Sequence, residues 1–158
     1  MVTEFSLSNE SESREWDDYV GGHPDGTPFH LTRWMRVIRE TYSFEPLLYV
    51  HKGEDKRISG VCPFFIIKSL FTGTRIVSAP FSDYCGPITN GAQIEKEILD
   101  KVAREKGRTA RYIEIRHSLL PGSGYVMHNI YAQPVLELNQ LSEAVFKNFD
   151  KNTIQRSI

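Results

Sequence analysis

Cysteine is almost missing. Cys62 and Cys85 are the only two in 158 residues, and neither belongs to a CxxC or Cys/His spacing. A disulfide scaffold and a structural zinc site are therefore not expected. The five histidines (His23, His30, His51, His117 and His128) also lack metal-ligand spacing. Long apolar runs are scarce as well. The longest, Val61 to Ile67, contains Pro63 and is far too short to span a bilayer. The opening stretch MVTEFSLSNESESRE has no apolar core of the secretory kind, so the expectation is a cytoplasmic protein with no membrane span. Charge of one sign is not in excess, with 19 Lys plus Arg against 20 Asp plus Glu. No global field favours nucleic acid or membrane. A GxSxG or similar nucleophile signal is absent, which removes support for hydrolase chemistry.

What is present is punctuated periodicity. The chain is long enough for one domain that buries about 68–70% of its unfolded surface, and it contains no internal repeat. EFSLS reads as a first strand and SESREWDDYVGG as a helix capped by Ser11 or Ser13. In that helix Trp16, Tyr19 and Val20 share a face, and Gly21 with Gly22 ends it. Thr27 and Pro28 open a second helix, with Leu31, Trp34, Met35, Ile38 and Tyr42 on one stripe. PLLYVHK, RISGVCPFFIIKS and TRIVSAPF are strand-like, with GEDK as a hairpin turn between the first two. Asn90 caps a third helix that carries Ile94, Ile98, Leu99 and Val102 and stops at Gly107. ARYIEIRHS alternates strictly, Ile113 and Ile115 against Tyr112, Glu114 and Arg116. YVMHNIYAQPVLEL supplies a further strand bent near Pro134, and Ser142 caps a last short helix with Val145, Phe146 and Phe149.

This order predicts an α/β (α+β) sandwich with a mixed, mostly antiparallel central sheet flanked by helices. It resembles the acyl-CoA N-acyltransferase (GNAT-like) fold. In that fold a glycine-rich turn at a helix N-terminus holds the pyrophosphate of CoA. RISGVC, Arg57 to Cys62, is the nearest spelling, but it runs straight into the apolar PFFIIKS and reads as strand. The loop APFSDYCGPITNG lies in the right position, yet Gly86 and Gly91 are spread apart and Pro87 removes an amide donor. It reads either as a turn before a helix or as the wall of a substrate cleft.

Four collinear stretches carry a closer resemblance: GHPDGTPFHLTRWMRVIRETYSFEPLLYV, ISGVCPFFIIKSLFTGTRIVSAPFSDYCGP, ARYIEIR and LSEAVFKNFDKNTIQRSI. Together they look like the first half of the FemAB-like proteins, GNAT-fold aminoacyl- and acyltransferases related to the enzymes of peptidoglycan interpeptide bridges. The resemblance implies transfer of an acyl or aminoacyl group to an amine on a cell-wall or related glycan precursor. It implies acyl-CoA or aminoacyl-tRNA as donor in a full-length protein, with no cofactor held by this chain. Family members usually carry two such domains. The expectation is thus one domain over residues 1–141 and a helical segment, 142–158, that leads towards a second. Such a chain would be the acceptor half, silent by itself, and able to dimerise through the exposed C-terminal segment. Two alternatives stand beside it, a standalone acetyl-CoA-dependent N-acetyltransferase and a non-catalytic interaction module.

The resemblance also sorts the candidate residues. Trp34 resembles a family tryptophan on the second helix, while its place on the apolar stripe equally makes it core. Arg36 and Arg39 stand where a basic residue of the bridge-forming relatives meets the precursor's phosphates; otherwise they are a solvated helix face. Asp83 and Tyr84 begin the loop as substrate-binding candidates; Asp83 is also a weak candidate for the base, or else a turn residue bonded to its own backbone. Arg116 and His117 end a strand at a cleft edge or at a solvent-facing one.

Overall fold

In the computed structural model, residues 1–117, 124–128, 139–149 and 151–152 are described. The chain forms two compact units, Met1–Met127 and His128–Ile158. In the first, β1 (Val2–Phe5), α1 (Glu10–Gly22), a 3-10 turn (Pro28–His30) and α2 (Thr32–Tyr42) precede a hairpin of β2 (Glu45–Lys52) and β3 (Ile58–Ser69). Then come β4 (Gly73–Val77), β5 (Ile88–Thr89), α3 (Ala92–Lys106) and β6 (Ile113–Glu114). The sheet runs β1-β2-β3-β4-β6, with β5 paired to β3. All pairings are antiparallel except β4 with β6, which run parallel. A parallel pair needs a crossover, and α3 supplies it. The mixed, mostly antiparallel sheet is the one expected from the sequence.

The alternation of side chains along β2 and β3 builds a core on each face of the sheet. Leu48, Val50, Val61 and Phe65 pack with Trp16 and Val20 of α1 and Met35 and Ile38 of α2. Leu47, Tyr49, Cys62, Phe64 and Ile76 pack with Ile98, Leu99 and Val102 of α3. A central strand covered on both faces has no reason to alternate, which explains the near-continuous apolar run of β3. All of RISGVC but Arg57 lies in β3.

Helix ends depart from the sequence reading. The α1 cap is Asn9, whose Oδ1 accepts from the Ser11 and Glu12 amides at 3.0 and 3.3 Å; Ser11 and Ser13 lie inside the helix. Thr27 caps the 3-10 turn rather than α2. The Asp17 carboxylate of α1 serves α2 instead, accepting from Thr32 N and Thr32 Oγ1, each at 2.7 Å. Gly91 precedes α3 without a side-chain cap, and Asn90 accepts from Tyr19 Oη at 3.0 Å. The strand at ARYIEIRHS is limited to Ile113–Glu114. The strand expected around Pro134 falls largely outside the described residues, and its described part, Tyr125–His128, contains no strand.

In the second unit α4 (Ser142–Lys147) begins with Ser142, so Leu141 takes the cap position expected for the serine. Val145 is buried there, and Phe146 meets Phe149 edge-on at 6.4 Å. Residues 150 and 153–158 of the expected terminal segment lie outside the described residues.

Candidate active site

The parallel strands β4 and β6 both point their C-terminal ends at the loop of residues 78–87. In open sheets that contain helices, such carboxyl ends are where ligands bind. The loop is pinned from three sides. Ser78 Oγ accepts from Arg116 N at 2.8 Å, Arg116 O accepts from Cys85 N at 2.9 Å, and Arg116 Nη1 donates to Ser82 O at 2.6 Å. The same guanidinium meets Glu114 Oε1 through Nε at 3.0 Å. Ala79 and Phe81 hold positive φ values of 33° and 66° on either side of Pro80. Non-glycine residues adopt this region only when their surroundings force it. Here the forcing contacts are Arg116 on Ser82 and Ser82 Oγ donating to Ala79 O at 2.5 Å.

The Pro28–His30 turn closes the other side. His30 is fully buried. Its Nδ1 accepts from Thr27 N at 3.3 Å and contacts Thr27 Oγ1 at 2.8 Å. That leaves the proton on Nε2, which donates to Gly86 O at 3.0 Å. Burial holds the imidazolium form below the usual histidine range, against the Gly86 hydrogen bond, which favours it; a charged His117 or His23 would lower it further. Trp16 Nε1 donates to His30 O at 2.7 Å, tying the turn to α1. Cys85 Sγ donates to Phe29 O at 3.6 Å, and burial pushes its thiol far above the usual range. Cys85 is therefore a packing residue, not a nucleophile.

Two buried groups stand out. Among the buried side-chain polar atoms of the described residues, Trp34 Nε1 and His117 Nδ1 have no hydrogen-bond partner. Trp34 packs edge-on against Phe29, ring centres 5.4 Å apart. The His117 ring lies against the Gly86 backbone so closely that a Cβ at Gly86 would collide with it, and it sits 5.0 Å from the Tyr84 ring. Burial lowers the His117 pKa, partly opposed by Asp25, so the imidazole favours its neutral, proton-accepting form. An orphaned buried donor or acceptor costs about 1–3 kcal/mol, and native proteins retain few of them without a reason.

The candidates named from sequence thus separate. Tyr84, Arg116 and His117 gather about one loop, while Trp34 on α2 packs against Phe29 of the 3-10 turn. Asp83 is exposed on that loop. Arg36 donates to Ser13 Oγ at 3.0 Å and to Leu7 O at 3.4 Å, bracing α2 against α1. Arg39 is exposed on the last turn of α2. Sequence reasoning missed His30, Phe29 and Gly86. The readable signal for His30 was TPFH, a capping box in which histidine takes the place of the usual Glu or Gln.

The loop before α3 offers few amide donors to a CoA pyrophosphate. Pro87 has no amide proton, the Asn90 amide is spent on Ser59 O at 2.9 Å, and Ile88–Thr89 is paired to β3. Glu95 places a buried carboxylate in the first turn, at the positive end of the helix dipole.

No protein-family model and no curated protein matches the chain. Solved structures do. Glucosamine-6-phosphate N-acetyltransferase from Arabidopsis thaliana aligns over 87% of this chain and 98% of its own, at 12% identity and a TM-score of 0.51. Ribosomal-protein-alanine N-acetyltransferase from Brucella melitensis biovar Abortus aligns over 85% and 98%, at 9% identity and a TM-score of 0.55. A GNAT family acetyltransferase from Staphylococcus aureus aligns over 86% and 98%, at 12% identity and a TM-score of 0.51. The chain has the GNAT acetyltransferase fold.

Proposed function

We propose that this chain is the acceptor-binding domain of an N-acyltransferase of the FemAB-like kind, transferring an acyl or aminoacyl group to an amine. The observation that carries the reading is that two buried polar atoms lack partners, Trp34 Nε1 on α2 and His117 Nδ1 against the loop that follows β4. One is a donor with no acceptor. The other belongs to an imidazole biased towards its neutral form. The amine proton of the acceptor falls to His117, and the resemblance that singled out Trp34 supports its indole N–H as a donor to an oxygen of the same substrate. As the amine nitrogen bonds to the acyl carbon, that proton passes to His117 and the donor's leaving group departs. His117 supplies the base, and the pinned loop supplies orientation.

The sequence resemblance supports a cell-wall or related glycan precursor as the amine-bearing substrate. The scarcity of free amides in the loop before α3 favours a donor held elsewhere, such as aminoacyl-tRNA on a second domain, over acyl-CoA bound by this chain. Arg39 and Asp83, both exposed, are then free to meet the precursor's charged groups.

The test is a thermal-shift panel with a UDP-linked cell-wall precursor, acetyl-CoA and CoA. A ligand at a hundredfold its Kd stabilises the fold by about 2.7 kcal/mol. Stabilisation by the precursor alone is expected. Stabilisation by CoA alone would replace this reading with that of a standalone N-acetyltransferase.

A further inference from the structure

The opposite end of the same strands has a different character. Leu70 and Phe71, at the tip between β3 and β4, are 102% and 97% exposed. The tip is fixed rather than collapsed. Ser69 Oγ accepts from Phe71 N at 3.3 Å and from Thr72 N at 3.2 Å, and Gly73 turns the chain at φ 77°. Beside it Arg111 N donates to Thr74 O at 2.7 Å, which brings the start of β6 alongside. Tyr112 there is 45% exposed and, with Arg111 and the exposed Val126, lines an open depression of about 420 Å³. The charges at this end are mostly positive. Lys68 is balanced by Glu45 at 3.4 Å, whereas Arg75 and Arg111 have no ion-pair partner among the described residues. Asp100, in the depression, is held by Lys96 at 2.6 Å.

We propose that this end docks on an anionic lipid surface, with Leu70 and Phe71 entering the headgroup and acyl boundary. A stable protein interface needs roughly 800 Å² of complementary surface from each partner, and a two-residue tip is a point, not a face. A bilayer accepts a point. It takes large apolar side chains at the acyl boundary, tyrosine at headgroup level and unpaired arginines against anionic headgroups. The exposed Phe71, the half-exposed Tyr112 and the unpaired Arg75 and Arg111 supply these groups at one end of the sheet, and their charge complements such lipids. The docking is peripheral, since no helix among the described residues is long and apolar enough to cross a membrane.

The test is co-sedimentation of the intact chain with vesicles of phosphatidylcholine containing phosphatidylglycerol, against pure phosphatidylcholine. Binding to the anionic vesicles that weakens with salt is expected. The double variant Leu70→Ser, Phe71→Ser, checked for fold by circular dichroism, lowers partitioning by about tenfold or more. Arg75→Gln and Arg111→Gln each lower it by about fivefold. Absence of wild-type binding, or binding that the tip variant leaves unchanged, would overturn the proposal. So would a concentration-dependent dimer that the tip variant abolishes without any vesicle binding, which would make the tip a protein interface.

Discussion

Trp34 carries a donor that nothing in the described structure accepts, and this makes a counterintuitive mutation informative. Trp34→Phe removes the N–H and keeps an aromatic ring against Phe29. The lost area and the relieved orphan act in opposite directions, the latter by about 1–3 kcal/mol. Urea denaturation is therefore expected to give a stability within about 1 kcal/mol of wild type. Binding of the precursor, in contrast, is expected to be lost. A variant that folds normally but still binds would remove Trp34 from the site.

Histidine chemistry gives a second test at this scale. His30 and His117 have pKa values lowered in the folded state, chiefly by burial. Above the ordinary histidine value of 6.5 both states are neutral and their contribution is constant. As pH falls through that value, the unfolded chain takes up protons that the folded chain resists, and stability declines until the lowered folded values are reached. A falling Tm from neutral towards mildly acidic pH is expected. The slope should be shallower in His30→Gln, whatever its absolute stability. An equal slope in the variant would show that His30 is not resisting protonation.

At the level of elements, two substitutions probe how the junction is positioned. Asn9→Ala removes the α1 cap and is expected to cost about 1 kcal/mol in chemical denaturation; the same change at Ser11, inside the helix, should cost much less. Gly86→Ala puts a methyl into the His117 ring. Overpacking of this kind costs about 1–3 kcal/mol, and the variant should also shift His117 in its NMR titration. A neutral Gly86→Ala would mean that the His117 ring does not lie against Gly86.

These elements also mark how far the sequence could be read. Helical stripes at Trp16 and Val20, at Met35 and Ile38, and at Ile98 and Val102 all became core, because a 3.6-residue period leaves little choice of buried face. Helix starts were harder. Ser11, Asn90 and Ser142 all have the chemistry of a cap, but backbone geometry one or two positions away decides which residue serves. The α2 start could not be read locally, since Asp17 reaches it from another helix. Arg116 and His117 were visible as the end of a strand and Tyr84 as part of the loop. His30 was not, because its meaning comes from Gly86, which meets it only in the folded chain.

Across the chain, fold and composition constrain function only broadly. Two buried layers on a mixed sheet define the GNAT architecture, which positions a loop at the ends of two parallel strands. The chemistry proposed above is read from two unsatisfied buried atoms, Trp34 Nε1 and His117 Nδ1. The most direct measurement is a ¹⁵N NMR titration of the chain with the UDP-linked precursor, read at the Trp34 indole N–H, the His117 ring nitrogens and the backbone of residues 78–87. Saturable shifts concentrated at these signals are the expected result. Shifts confined to the first turn of α3, or no saturable shift at Trp34 and His117, would contradict an acceptor site at the carboxyl ends of β4 and β6.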